Sequence, residues 1–406
     1  MDGRYGNKFM GMVKQFFRAW KDVKAFKELP ASARRIVFYA EDNYSMAHFE
    51  EMLECLTHQH DQAVCYLTSS PDDPILSSDN PNIHAFYVSS GTVRTALFID
   101  LWVDLLVLTM PDLETFHIKR SKAYPVHYLY VFHAMVSTHL VYRKAAFDHF
   151  DTIFLTGPFQ RDEIRSTESV YGLQEKTLVD VGYPRLDALR RDFLTWRKAQ
   201  SPGVTKGPLR VIVAPSWGKT AVLETCGEEL VSILLDAGYH VTVRPHPMTT
   251  KQTPQVLDAL WKEWGSHERF AMETDVRDKT TLYGSDVMIS DWSGVALEYA
   301  FGCEKPVIFI DVPKKKNNPE AERITEIPVE VSIRQRVGRV VSPDRLQEVP
   351  EAINRIVADQ ASFLGEIKAA RDECVFNLDQ SATVGARYIK ELAHQLHKQN
   401  ASDRSA

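Results

Sequence analysis

The stretch Ser290-Asp291-Trp292-Ser293-Gly294 stands between an apolar run ending at Ile289 and a run from Val295 to Gly302 that reads as a helix. A helix N-terminus presents unpaired backbone N–H groups and a partial positive charge, so this junction is a ready anion site. The Ser hydroxyls can cap the helix, and the N–H groups of Gly294 and Val295 can hold a phosphate. Glu298 follows one turn on, about 6 Å along the axis, where a carboxylate can accept hydrogen bonds from a ribose. The same residues also suit plain helix capping, for which Ser and Asp are common choices.

Arg244-Pro245-His246-Pro247 ends another apolar strand. The prolines stiffen the turn, so Arg244 and His246 are presented with little entropy to lose. Arg offers a fork for phosphate oxygens, and His can donate a hydrogen bond or a proton. The strand carrying this turn is expected beside the strand 286–291. The alternative is a rigid surface turn with an incidental His. His133 ends an apolar strand in the first half of the chain, and a histidine there suits a general base; His139 and His149 follow. A satisfied core histidine is the competing reading for each. Arg185 and Asp187, in Val181-Gly182-Tyr183-Pro184-Arg185 and the residues just after it, are expected near the rim of the same site, and Ser216 in Ala214-Pro215-Ser216-Trp217-Gly218 is a further candidate. The tail Gly218-Lys219-Thr220 imitates a phosphate-binding P-loop, but the glycine that loop requires falls on Val213, which excludes a Walker ATPase.

These residues need strand ends to hold them. Apolar strands are predicted at 35–40, 63–69, 84–89, 104–110, 127–133 and 151–157, with a helix at 45–59. A Pro- and Gly-rich stretch at 199–208 reads as a linker. The pattern then restarts, with strands at 209–215, 240–246, 286–291 and 305–311 and helices at 223–238, 253–265 and 294–302. Such alternation argues for mainly parallel sheets covered on both faces. The fold class is therefore α/β, with two Rossmann-like doubly wound domains, 31–200 and 201–406, facing a central cleft. A last helix near 383–398 is expected to pack back across the linker.

Residues 1–30 stand apart. Phe9, Val13, Phe16, Trp20 and Val23 recur at helical spacing among Lys8, Lys14, Arg18, Lys21, Lys24 and Lys27, and Pro30 ends the run. This is the pattern of a helix lying on an anionic membrane surface, or of one docked on its own domain or a partner subunit. The 406 residues carry a net charge of -6, which gives no general affinity for nucleic acid. The five cysteines are dispersed, without metal-ligand spacing, as in a reduced cytoplasmic protein. No metal site is visible; a Mg²⁺ held mainly by ligand phosphates would leave little trace.

Taken in order, "TGPFQRDEI", "VGYPRLD", "APSWG", "RPHP", "SDWSGVALEYAFGCEKPVIFID" and "VEVSIRQRVG" resemble the CDP-glycerol glycerophosphotransferase family of teichoic-acid and capsule primases and polymerases. The resemblance runs through roughly residues 127–340. It implies two domains of the GT-B kind and transfer of glycerol phosphate, or a related polyol phosphate, from a CDP-linked donor to a hydroxyl of a glycan or lipid-linked acceptor. CMP is released, at the inner face of the cell membrane. The family's first-domain histidine matches His133, with His139 as the fallback, and its Arg-x-His-Pro histidine matches His246. Its Ser-Asp-x-Ser-Ser matches Ser290, Asp291 and Ser293, with Gly294 in place of the last Ser. Its helical acid matches Glu298, and Ala134 replaces the Gly that usually follows its first histidine. In this reading His133 takes the acceptor proton, His246 and Arg244 bind the pyrophosphate, and Ser293, Gly294 and Val295 hold a phosphate. UDP-sugar chemistry on the same architecture, by a glycosyltransferase or a nonhydrolysing epimerase, is one alternative; a catalytically silent nucleotide- or membrane-binding protein is the other.

Overall fold

Thirteen short, mostly buried runs of β-branched and aromatic residues form two parallel sheets in the computed structural model, which describes residues 3–200 and 207–403, the side chains of 3–10, 360 and 403 excepted. Most of the expected linker at 199–208, and the side chains of Lys8 and Phe9, lie outside the described residues. The chain divides into two compact units: Met1–His133 with Tyr142–Arg185 and Phe376–Ala406, and Ala134–Val141 with Leu186–Val375.

In the first unit, β1 (Ile36–Ala40), β2 (Val64–Thr68), β3 (Ile83–Tyr87), β4 (Leu105–Leu108), β5 (His127–Val131), β6 (Thr152–Leu155) and β7 (Thr177–Asp180) are arranged β3-β2-β1-β4-β5-β6-β7. In the second, β8 (Arg210–Val213), β9 (His240–Val243), β10 (Phe270–Met272), β11 (Val287–Ser290), β12 (Val307–Ile310) and β13 (Gly338–Val341) are arranged β10-β9-β8-β11-β12-β13. All pairings are parallel. Both orders reverse beside their first strand, between β1 and β4 and between β8 and β11. Loops leave such a switch point in opposite directions, which opens a crevice at the strands' carboxyl ends. The strand carrying Arg244 and His246 is not adjacent to β11 as expected, because β8 lies between them.

Strands β7, β10 and β13 were not among those expected from the apolar runs. All three are edge strands, and an edge strand can stay short and polar because only one side pairs. The predicted helix over 45–59 is broken into a 3-10 turn (Ser45–His48), an α turn (Glu50–Glu54) and a π turn (Cys55–Gln59).

A single cut near residue 200 does not describe the units, because three segments lie across it: 134–141 and 186–200 belong to the second unit and 376–406 to the first. The C-terminal helix Ser381–Asp403 puts Ala386, Ile389 and Ala393 into the first unit's core with Phe38, Met52, Leu56 and Val181. Its entry is allowed by Gly182, whose φ is +96° and whose missing Cβ would run into the Phe376 carbonyl. Segment 134–141 instead joins the second unit: the Ser137 N–H donates to the Glu330 carboxylate at 2.8 Å, and the Asn318 side chain donates to the His139 carbonyl at 3.0 Å.

The N-terminal helix, Gly3–Glu28, lies along edge strand β3. Ala19 and Phe26 are buried, Phe26 packs edge-on to Phe86 at 5.6 Å, and the Tyr87 N–H donates to the Asp22 carboxylate at 3.1 Å. The helix thus supplies an acceptor to an unpaired edge. Met12, Val13, Phe16, Phe17 and Trp20 remain exposed on it.

Candidate active site

Four loops of the second unit leave the carboxyl ends of β9, β8, β11 and β12, and Asp291 ties two of them together across the switch point. Its carboxylate accepts the backbone N–H of Ser216 at 2.7 Å and that of Val222 at 3.2 Å. Burial pushes the carboxyl pKa up, while these N–H groups pull it down. Ser290 is wholly buried and donates to the Ala214 carbonyl at 2.7 Å. Ser290 and Asp291 therefore face the protein interior, and Ser216, also buried, serves the same brace.

Past that brace the chain turns outward. Ser293, Gly294 and Val295 are half-buried, and no side chain caps the helix Val295–Cys303 that they open. Capping alone does not account for Ser293, whose hydroxyl makes no hydrogen bond among the described residues. Glu298 lies in the first turn of that helix and is largely buried. The loop is locked from behind by Arg334, whose guanidinium carbon lies 3.3 Å from the Trp292 ring centroid. Arg334 donates to the Asp311 carboxylate at 2.8 Å and to the Asp291 carbonyl at 3.1 Å.

His246 begins the helix Pro247–Gln252, and its Nδ1 accepts the Met248 N–H at 3.0 Å. The neutral ring's hydrogen is then on Nε2, which makes His246 a donor. Arg244 is placed differently from the expectation. It is buried, pairs with Glu273 at 2.9 Å and donates to the Val276 and Asp278 carbonyls at 2.6 and 2.7 Å. Its fork fastens the 273–278 loop, an acceptor set that lies about thirty residues downstream and leaves no trace in the local sequence.

A cation, Lys315, shares the Trp217 ring with His246. Its Nζ sits 3.9 Å from the Trp217 ring centroid, and that ring lies 6.0 Å from His246. Burial lowers the Lys315 pKa from the ordinary lysine value, with Asp291 and Glu224 acting in the opposite direction. No carboxylate of the described residues lies within ion-pair distance of it. Sequence reasoning missed Lys315, Trp217 and Arg334. The run Lys314-Lys315-Lys316 after an apolar strand was the available signal, since a parallel strand's carboxyl end is where ligands of such sheets bind.

In the first unit, His133 follows β5 by two residues. Its Nδ1 lies 3.1 Å from the Thr109 carbonyl and 3.3 Å from the Tyr130 hydroxyl. A carbonyl only accepts, so the ring hydrogen sits on Nδ1 and the basic lone pair on Nε2. The Tyr183 hydroxyl donates to the His133 carbonyl at 2.9 Å, which fixes the backbone as well. His48, unremarked in the sequence, presents its ring to His133 at 6.1 Å and stacks on Tyr183 at 6.3 Å. Burial foremost, then the charges of Arg185 and His133, push the His48 pKa well below the histidine range, so it stays neutral. Arg185 thus lies close enough to His48 for its charge to act on that ring. His139 belongs to the other unit. It is buried in segment 134–141 of the second unit, with its ring at 3.2 Å from the Ser137 hydroxyl. Among the described residues no group of three or more His, Cys, Asp or Glu is placed to hold a metal ion.

Residues 122–318 match the family CDP-Glycerol:Poly(glycerophosphate) glycerophosphotransferase. No curated protein matches the chain in sequence. In structure it is similar to the wall teichoic acid polymerase TagF, with a TM-score of 0.56 at 14% identity over 98% of this chain and 99% of that one. It is similar also to the UDP-GlcNAc 2-epimerase of Neisseria meningitidis, with a TM-score of 0.58 at 11% identity over 88% and 99%. The corresponding epimerase of Methanocaldococcus jannaschii gives 0.55 at 13% identity over 89% and 99%. At such identities the likeness establishes the fold, two Rossmann-like domains of the GT-B type.

The two positions where the chain departs from the glycerophosphotransferase pattern meet in space. A Cβ built on Gly294 would lie 3.3 Å from the Ala134 Cβ and 3.3 Å from Val136 Cγ1. The resemblance expects Gly and Ser at these two positions, where this chain has Ala134 and Gly294 in contact. Gly294 has α-helical φ and ψ, so Ser fits the backbone and meets only crowding. Gly294→Ser is expected to lower stability by about 1 kcal/mol, the low end of overpacking. Adding Ala134→Gly should restore part of it, less the flexibility of a new Gly. Melting temperatures of the parent and the three variants of the double-mutant cycle check this; strict additivity would deny the coupling.

Proposed function

We propose that this chain transfers glycerol phosphate, or a related polyol phosphate, from a CDP-linked donor to an acceptor hydroxyl on a glycan or lipid-linked glycan. The observation that carries this reading is the anion-ready array of the second unit: the outward-turned Ser293-Gly294-Val295 loop with Lys315, Trp217 and the Nε2–H of His246. It occurs in a segment that matches the glycerophosphotransferase family.

The acceptor oxygen attacks the phosphorus that bears the polyol, and the bond from that phosphorus to the bridging oxygen breaks, so CMP leaves with the electron pair. Catalysis of such a step is mainly positioning and charge stabilisation. His133 Nε2 takes the hydroxyl proton. His246 Nε2–H and the Lys315 ammonium stabilise the departing phosphate, the Gly294 and Val295 N–H groups and the Ser293 hydroxyl hold phosphate oxygens, and Glu298 anchors the ribose. Arg244, Ser290, Asp291 and Arg334 support these groups from behind. A Mg²⁺ accompanying the donor would take its ligands from the phosphates and add charge neutralisation there.

Thermal shift against CDP, CDP-glycerol, CDP-ribitol, UDP, UDP-N-acetylglucosamine and ATP tests the reading, because a ligand of the native state raises apparent stability. Stabilisation by the cytidine compounds, reduced at least about tenfold in affinity by Lys315→Met, is expected; a buried charge contact of about 1.4 kcal/mol is enough. A response confined to the uridine compounds would replace the reading by sugar-nucleotide chemistry.

Work at the inner membrane face is the second part of the proposal. It is supported by the exposed Met12, Phe16, Phe17 and Trp20 among basic residues of the N-terminal helix. No helix of the described residues is long and apolar enough to cross a membrane. Phe17→Gln with Trp20→Gln leaves the docked face, Ala19 and Phe26, in place. That variant should lose salt-sensitive binding to anionic vesicles with an unchanged melting temperature. Vesicle binding equal to that of the parent would end the membrane assignment.

A further inference from the structure

A cavity of about 470 Å³ in the first unit is lined by Arg35 and His60 and by Arg387, Lys390, Glu391 and His394 of the C-terminal helix. Arg35 immediately precedes β1 and His60 precedes β2, so the cavity lies at the amino ends of the parallel strands. His48, Thr109 and His133 lie at their carboxyl ends, roughly 16 Å away along a five-residue strand. Residues 387, 390, 391 and 394 fall at spacings of three, four and seven, which places them on one helix face.

The charge here is lopsided. Three permanent cations face a single carboxylate, in a chain whose net charge is -6. Among the described residues the side chains of Arg35, Arg387 and Lys390 make no ion pair and donate to no acceptor. Arg35 Nε and His60 Nε2 are moreover buried without a hydrogen-bond partner. Buried polar nitrogens of native proteins nearly always find an acceptor, and an ordered ion is one of the standard explanations when the protein supplies none. Three clustered cations with one carboxylate among them repel one another, and an anion of more than one charge lowers that cost. Guanidinium groups match phosphate oxygens in pairs and an ammonium adds a point charge, whereas one carboxylate would leave cations unmatched. The volume is within the range of small-molecule sites.

We propose that this cavity is a second anion site, which binds a phosphate-bearing ligand of two or more charges, carried by a soluble molecule or by a lipid headgroup. It is independent of the donor site and of the transfer reaction. The full-length protein is titrated calorimetrically with inorganic pyrophosphate and sedimented with phosphatidylglycerol vesicles. The variants are Arg387→Gln with Lys390→Gln, both exposed on a helix that Gln tolerates, and Lys315→Met as the donor-site control. Lys198→Gln with Lys262→Gln removes equal charge from exposed positions elsewhere. A pyrophosphate binding step weakened at least tenfold in the Arg387/Lys390 variant, and kept in both controls, is expected for a soluble ligand. An unchanged pyrophosphate isotherm with vesicle binding reduced tenfold in that variant alone assigns the site to a lipid headgroup. Equal behaviour of the Arg387/Lys390 variant and the parent in both assays, or equal losses in the Lys198/Lys262 control, overturns the proposal.

Discussion

His133→Ala is expected to lower turnover by a factor of about 10² to 10⁴, the usual contribution of a general base, while leaving CDP affinity unchanged. The expectation rests on orientation. The Thr109 carbonyl holds the Nδ1 hydrogen and the Tyr183 hydroxyl holds the His133 backbone, so the ring is fixed with its lone pair on Nε2. The Tyr183 bond is to a carbonyl and survives the substitution, which keeps the loop in place and separates loss of chemistry from loss of structure. Turnover with CDP-glycerol and a CDP titration of the same variant check both halves. Turnover equal to that of the parent would remove His133 from the mechanism; a parallel loss of CDP affinity would move it to donor binding.

The second large effect concerns stability. Asp291→Ala deprives the Ser216 and Val222 N–H groups of a charged acceptor in a buried place. A hydrogen bond to a charged group contributes about 1.5 to 3 kcal/mol, and an orphaned buried donor costs a similar amount. Burial already works against the ionised carboxyl, so for the two bonds together a net loss near the lower end, about 3 kcal/mol, is expected. For a unit of this size that corresponds to a fall in melting temperature on the order of 10 °C. Asp291→Asn keeps one acceptor oxygen and should fall between the two. Calorimetry with and without CDP distinguishes the roles: an unchanged melting temperature with abolished CDP binding would place this carboxylate on the ligand instead of on the loops.

The residues of the candidate site differ in how far the sequence alone reveals their roles. His246 and Ser293 are legible because their neighbours in sequence determine their placing. Proline on both sides sets the His246 turn, and the Ser-Gly step opens a helix. Arg244 carries the same local signal and does something else, since Glu273 and two carbonyls of a later loop capture its fork. Lys315 reaches Trp217 across the loop that follows β11, and no spacing between residues 217 and 315 announces that contact. His48 belongs to a stretch that reads as one continuous helix, yet the chain breaks there into three kinds of turn, and the break brings its ring to His133.

What the order of residues determined by itself was the alternation of buried strands with helices, and with it two parallel sheets, because an apolar run of four to seven residues has few other stable fates. It also determined which strand ends carry His133, His246 and Ser293. Tertiary structure alone decided the edge strands, the division of the chain, and the partners of each charged group. Edge strands need only half the apolar signal. The C-terminal helix and segment 134–141 bury their surface against residues far away in sequence. A guanidinium or an ammonium has no preferred partner until the fold brings carbonyls, carboxylates and rings within a few ångströms of it, and that proximity is not a local property of any stretch of chain.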